Sequence, residues 1–324
     1  MTRAVVFAYH NVGVRCLKVL LARGIDIPLV VTHDDEPSET IWFDSVARTA
    51  ADYRVPAIAP ADPNAADAVA QVAAARPDFI FSFYYRMMLA PALLALAPRG
   101  ALNMHGSLLP KYRGRAPVNW AILRGETETG ATLHHMTDKP DNGDIVAQTA
   151  VPILPDDIGS EVFAKVALAA ELTLHRALPA LLDGSAPRIR QEVARGSYFG
   201  ARKPDDGIID WSQSAATIHN LVRAVAPPYP GARTRIDGRP ARLLRTRVLD
   251  ASPPDASAPT FFVADDRIAV RCGGGGTLQV LELEIDGAIV GPATLARPRT
   301  ARAAAVPGRI GAREPAPGAP DKDR

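Results

Sequence analysis

The chain has 324 residues, enough to bury a core and to form two domains, with 47% hydrophobic and 22% charged residues as in ordinary globular enzymes. A formal net charge of +2 gives no bulk attraction for a polyanion, and two cysteines, Cys16 and Cys272, exclude a secreted-type disulfide framework and read as buried free thiols. No uninterrupted apolar run of about 18 residues is present and no signal-peptide pattern follows MTRAVVFAYH, so a cytoplasmic protein with no membrane contact is expected.

In chain order, Ala4–Tyr9 predicts a strand and Val14–Arg23 a helix. Ile27–Thr32 predicts a second strand, Trp42–Tyr53 a helix, Val55–Ile58 a short strand, Ala65–Ala75 a helix and Asp78–Phe83 a buried strand. This alternation argues for a parallel sheet covered by helices on both faces. Ala101–Met104 is a further strand, which puts His105 at or just past its C-terminal end, where open α/β sheets place their ligands. Thr129–His135 and Ile145–Ile153 read as two more strands, with Asp141 in the loop between them, and Ile158–Leu182 as a long helix. Ser214–Val225 is another helix. The short β-like runs Thr234–Ile236, Ala241–Leu249, Phe261–Val263, Ile268–Arg271 and Thr277–Ile285 then suggest a small barrel or sandwich. The expected layout is a catalytic domain over 1–200, a β-barrel domain over 201–300 and a disordered Ala/Pro/Gly/Arg-rich tail over 301–324.

Asn103, His105 and a carboxylate from 139–144 offer an amide donor, an imidazole and an acid, the groups needed to move an acyl group onto an amine. A lone histidine near a strand end is often only structural. Here the glycine- and proline-punctuated loop HGSLLPKYRGRAP suits a shaped site, and Asn103, two residues earlier, leaves the strand on the same face as His105. Asp141 and Asp144 compete for the acid's role on chemistry alone. Arg113 and Arg115 are either solvated surface or a fork for an anionic group. Met87, Met88 and Leu89, after the aromatic run Phe83-Tyr84-Tyr85-Arg86, either fill a core or line an apolar slot. His134 and His135 point to opposite faces of one strand, so no ordinary metal site is expected there. Gly273–Gly276 reads as a hairpin turn rather than a phosphate loop. The basic run of arginines at 233, 235, 239, 242, 245 and 247 is either an exposed strand face or a contact for RNA or a phosphorylated partner.

NMHGSLLPKYRGRAP (103–117) followed by PDNGDIV (140–146) resembles the folate-dependent formyltransferase family. FAYH (7–10), SVARTAA (45–51), FSFYYR (81–86), GETETG (125–130) and RAVAPPYPGA (223–232) are most similar to the branch acting on UDP-4-amino-4-deoxy-L-arabinose in lipid A modification and polymyxin resistance. The likeness is clear over roughly 1–250 and fades through the barrel.

The resemblance implies an α/β, Rossmann-like formyltransferase domain followed by an OB-like C-terminal barrel. It implies 10-formyltetrahydrofolate as co-substrate, no metal, and a nucleotide-sugar acceptor. By the same likeness His105 is the proton donor and acceptor, Asn103 stabilises the transition state and Asp141 tunes the imidazole. Folate contacts fall on Met87, Met88, Leu89, Arg115 and the loop Thr137, Asp138, Lys139, Pro140 and Asp141. A monomer or homodimer is expected. Other expected readings are methionyl-tRNA formyl transfer and formyl transfer to a different nucleotide-linked amino sugar. The acidic segment HDDEPSE (33–39) argues against a nucleic-acid partner, because phosphate contacts dominate such binding.

Overall fold

The computed structural model describes residues 1–36, 39–254, 259–295 and 299–302. They form two compact units. The first comprises Met1–Val118, Glu128–Pro152 and Phe163–Gly200; the second comprises Asn119–Thr127, Ile153–Val162 and the chain from Ala201 onward.

The first unit is a seven-stranded mixed sheet. The elements in chain order up to β9, of which most of α5 and the start of α6 fall in the second unit, are β1 (Arg3–Ala8), α1 (His10–Ala22), β2 (Asp26–Val31), α2 (Val46–Asp52), β3 (Ala57–Ile58), α3 (Ala66–Ala74), β4 (Phe79–Phe83), α4 (Pro91–Leu94), β5 (Gly100–His105), β6 (Arg113–Gly114), α5 (Pro117–Leu123), β7 (Glu128–His135), β8 (Ile145–Pro152), α6 (Gly159–Asp183) and β9 (Tyr198–Phe199). The strand order is β3-β2-β1-β4-β5-β7-β8. The first five strands run parallel, and their order reverses between β1 and β4 as in a Rossmann-like fold. β7 and β8 run antiparallel to their neighbours. The loop 136–144 between them is shorter than the roughly 12 residues a parallel crossover needs. The central strands β1 and β4 are almost wholly buried, as strands covered on both faces must be.

Two helix starts differ from the sequence reading. α1 begins at His10, four residues early, because His10 adopts a left-handed φ of 65° that turns the chain out of β1 directly into the helix. α2 begins at Val46, not Trp42, because Ser45 caps it by accepting a hydrogen bond from the Arg48 N–H at 3.2 Å. Trp42 and Phe43 instead pack their rings against His10.

The second unit carries α7 (Ala215–Ala224), which lies against an antiparallel sheet. The strands are β10 (Ala232–Ile236), β11 (Arg239–Asp250), β12 (Thr260–Ala264), β13 (Arg267–Arg271), β14 (Thr277–Ile285), β15 (Ala288–Val290) and β16 (Arg299–Arg302). They follow the order β11-β10-β16-β12-β13-β14-β15, and β11 also pairs with β14, so the sheet closes on itself as a barrel. Residues 301 and 302, assigned to the tail in the sequence reading, belong to β16; the rest of that tail lies outside the described residues. Gly273–Gly276 forms the turn between β13 and β14, with left-handed glycines at 275 and 276.

The arginine-rich hairpin of this unit is matched by carboxylates. Arg239 meets Asp286 at 2.7 Å, Arg242 grips Glu284, Arg245 meets Glu161 at 3.4 Å, Arg247 meets Asp156 at 3.2 Å, and Arg233 meets Asp205 at 3.4 Å. The side chains of these five arginines are 41–55% exposed. Among the described residues no helix is long and apolar enough to cross a membrane, and no cluster of three or more His, Cys, Asp or Glu is placed to hold a metal ion. Cys16 and Cys272 are free and buried, as the sequence led us to expect.

Candidate active site

β5 delivers Asn103 and His105 to one face at its C-terminal end, beside the ends of its parallel neighbour β4 and, beyond it, β1. The loop 136–144 carries Asp141 to them. Asp141 Oδ1 lies 3.5 Å from His105 Nδ1 and 3.5 Å from His134 Nε2. Asn103 Nδ2 lies 3.2 Å from the same His134 nitrogen, because the β5–β7 register sets Asn103 opposite His134. The amide, the first imidazole and the carboxylate named from the sequence thus meet, joined by a second imidazole that the sequence reading passed over.

The turn bearing Asp141 is held from three sides. Asp141 has a left-handed φ of 54°. The Gln191 side chain donates to the carbonyls of Asp141 at 2.9 Å and Gly143 at 2.6 Å. Arg113 donates to Asn142 Oδ1 at 2.6 Å. Gly143 allows the close approach to β7: a Cβ there would lie 1.9 Å from the His135 carbonyl oxygen. The Gly114 N–H donates to Asp141 Oδ2 at 2.8 Å. Burial alone would raise the Asp141 pKa. The His105 imidazole beside it and the Gly114 N–H outweigh it and hold the carboxyl well below the usual carboxylate range. Asp141 is therefore ionised at neutral pH. Asp144 points elsewhere, toward the exposed Arg188 at 3.5 Å.

His105 is 6% exposed, and both its ring nitrogens face acceptors. Nε2 lies 2.7 Å from the Tyr112 carbonyl, and Nδ1 faces Asp141. A carbonyl only accepts, so Nε2 carries a proton. Tyr112 reaches this place because the loop after β5 is tightly shaped. Its own φ is 57°, its N–H donates to Ser197 Oγ at 2.9 Å, and the next two residues pair with β9. Thr132 bridges the same loop to the sheet by donating to the Ser107 carbonyl at 2.6 Å. His134 Nδ1 lies 2.8 Å from the His135 carbonyl, so that nitrogen also carries a proton and Nε2 is the edge turned to Asn103 and Asp141. His135 follows on the opposite face of β7, as strand alternation requires.

The other residues singled out in the sequence form the surroundings. Met87 and Met88 are exposed. Leu89 differs from the slot-lining expectation: its side chain is 3% exposed and packs in the core with Val5, Phe7 and Ile80, so only its backbone can face a ligand. Arg115 is exposed and donates to the Arg86 carbonyl at 3.3 Å. Thr137, Asp138, Lys139 and Pro140 form an exposed rim, closed locally by a 3.0 Å bond between Thr137 Oγ1 and the Lys139 carbonyl. Arg86 is committed to Glu39 through two bonds of 2.7 and 2.6 Å, which neutralises part of the acidic segment 33–39. Tyr85 stacks on His33 with ring centres 4.1 Å apart.

This cluster combines a neutral amide, two imidazoles and a buried carboxylate at a sheet edge. It suits stabilisation of a developing oxyanion together with proton movement. Residues 10–178 match the model of the formyl transferase family, and residues 202–297 match that of the formyl transferase C-terminal domain. The chain belongs to the formyl transferase family. Solved structures of similar fold include an N-formyltransferase from Helicobacter canadensis in complex with folinic acid and dTDP-3-aminofucose. It is 17% identical with a TM-score of 0.68, over 86% of this chain and 99% of that one. WlaRD, a sugar 3N-formyl transferase solved in the presence of dTDP and 5-N-formyl-THF, is 18% identical with a TM-score of 0.67, over 89% of this chain and 99% of that one. A sugar N-formyltransferase from Shewanella sp. FDAARGOS_354 is 18% identical with a TM-score of 0.59, over 74% of this chain and 95% of that one. At these identities the likeness is one of fold.

Proposed function

We propose that this formyl transferase moves a formyl group from 10-formyltetrahydrofolate to the 4-amino group of UDP-4-amino-4-deoxy-L-arabinose, with Asn103, His105 and Asp141 as the catalytic residues. The meeting of those three side chains at the C-terminal edge of β5 carries the reading. The folate donor is supported by the folates named in the Helicobacter and WlaRD structures, and the nucleotide-sugar class by their dTDP compounds. The choice of the arabinose amine rests on the sequence segments that resemble that branch. The carboxylates paired with the barrel's arginines weigh against a tRNA acceptor, because they leave little basic surface for phosphates.

The exposed thioethers of Met87 and Met88, the backbone at Leu89, Arg115 and the rim 137–141 suit a flat, polar-edged ring system and would hold the folate. That donor supplies the formyl carbon and a leaving nitrogen. The neutral sugar amine forms a C–N bond to the formyl carbon, the bond to the leaving nitrogen breaks, and the amine's proton ends on that nitrogen. Asn103 donates an N–H to the oxyanion. His105 adds a hydrogen bond and carries the proton once one of its two protein contacts opens. The Tyr112 carbonyl occupies Nε2, so that contact must open for Nε2 to exchange a proton with the reactants. Asp141 orients the ring and balances its charge.

A mass-spectrometric screen of UDP-, dTDP- and GDP-linked amino sugars with the formyl-folate tests this reading. A gain of one formyl group on the UDP-arabinose amine is expected. Formylation of initiator methionyl-tRNA alone would overturn the acceptor assignment.

A further inference from the structure

His134 has no part in the roles assigned so far, yet it is 2% exposed and touches both Asn103 and Asp141. We infer that His134 is a positioning residue for formyl transfer, which fixes the orientation of the Asn103 carboxamide. An amide is useful to an oxyanion only if its N–H, and not its oxygen, faces the reacting carbon. The two ends of a carboxamide are nearly the same size, and rotation about χ2 exchanges them unless a partner tells them apart.

His134 is that partner. Its Nδ1–H is committed to the His135 carbonyl at 2.8 Å, which leaves Nε2 as the acceptor for one Asn103 N–H at 3.2 Å. The remaining N–H of the amide is then directed away from the ring. The contact is set by the backbone register, since Asn103 and His134 are direct partners in the β5–β7 ladder. Asp141 Oδ1 lies 3.5 Å from His105 Nδ1 and 3.5 Å from His134 Nε2, so the pair and His105 sit around one carboxylate. Placing a proton on Nε2 would require the amide to turn over, so the hydrogen-bonding state of His134 and the orientation of Asn103 change together.

The inference rests on Asn103 as the oxyanion donor and not on the identity of the acceptor. His134→Leu removes the Nε2 contact; His134→Gln keeps a side-chain acceptor near the same place. With the acceptor found in the screen above, His134→Leu should lower kcat about 100-fold with little change in either KM, the signature of an interaction made in the transition state. His134→Gln should recover most of that loss. In an Asn103→Ala background His134→Leu should cost nothing more, because two groups acting through one amide are not additive. A wild-type kcat for His134→Leu, or losses that simply multiply in the double variant, would overturn the inference. A second measurement needs no acceptor. With asparagine-selective 15N labelling, the Asn103 side-chain amide signals should shift in His134→Leu and stay near wild type in His134→Gln. Unmoved signals in the leucine variant would sink the positioning role even if the acceptor were misassigned. Shifted signals with no turnover on any acceptor would support it and count only against the proposed function.

Discussion

Nε2 of His105 lies 2.7 Å from the backbone carbonyl of Tyr112. A backbone group therefore anchors the ring that we propose moves a proton, and it does so on the side away from the Asp141 carboxylate. The imidazole lies between two acceptors. In the proposed mechanism the site stabilises charge first and shuttles a proton second.

If charge stabilisation leads, removing the amide should be costly without harming the fold. Asn103→Ala is expected to reduce kcat by about 10²–10³-fold, as loss of one oxyanion donor does elsewhere. Asn103 is only partly buried, so the melting temperature should move little. Steady-state kinetics with a thermal melt on the same sample checks both halves, and near-normal turnover in a folded variant removes Asn103 from the mechanism.

Asp141 and Asp144 should respond oppositely to the same change. Asp141→Asn removes the charge that faces two imidazoles and is expected to lower kcat by at least about 10²-fold and to destabilise the fold by about 1–3 kcal/mol. Because the folded carboxyl titrates well below the ordinary value of about 3.9, its contribution to stability is complete above that value. It is lost as pH falls toward the folded pKa. The asparagine variant should therefore show a shallower loss of stability below about pH 4 than wild type. Asp144→Asn touches only an exposed pair with Arg188, 64% and 36% exposed, and should leave activity and stability nearly unchanged. Equal effects from the two substitutions would contradict the assignment.

That contrast also shows which part of the site was readable from the chain. The alternation of apolar runs placed β1, β4 and β5 correctly, and with them the edge that carries Asn103 and His105. Residue chemistry alone did not choose between Asp141 and Asp144, and only the resemblance favoured Asp141, because the choice depends on Gly114, Gln191 and Arg188, distant residues that fix the turn. His134 was visible only as one of two adjacent histidines. Its partner is set by a strand register, a non-local property with no signature in a single sequence. The Tyr112 carbonyl is a backbone atom and leaves no mark in residue types. The carboxylates that answer the basic hairpin were hidden for the same reason: Glu284 on β14 and Asp286 in the β14–β15 turn are brought alongside it by the β11–β14 pairing.

A second titrating group lies outside the cluster of Asn103, His105 and Asp141. His10 is 9% exposed and stacks on Phe43 with ring centres 3.8 Å apart. Burial, helped by Arg86, lowers its pKa to about 3. The unfolded chain takes up a proton near pH 6.5 while the folded one does not, so stability is complete above that pH and falls as the solution is acidified toward pH 3. His10 alone should cost about 2 kcal/mol between pH 7.5 and pH 5. His10→Asn, which tolerates the left-handed φ of 65° and does not titrate, should flatten that slope even though it loses ring packing and lowers stability overall. Urea denaturation at a series of pH values measures the slope, and an unchanged slope would mean that His10 is not the group responsible.

Gly114 links the fold to the chemistry most directly, because its N–H donates to Asp141 and its φ is 93°. A Cβ at this position would lie 2.1 Å from the Phe199 carbonyl oxygen, across the short β6–β9 pairing. Gly114→Ala must therefore push the strands apart and draw the N–H away from the carboxylate. Gly184 is the matched control: its φ is 83°, but an added Cβ there meets nothing within 4 Å. Gly184→Ala should cost only backbone strain, about 1 kcal/mol, with kcat preserved. Gly114→Ala should cost more stability than that and also depress kcat, because Asp141 loses the Gly114 N–H. Thermal melts and kinetics on the two variants separate strain from catalysis. Equal kcat values would show that the Gly114 hydrogen bond does not support the reacting cluster.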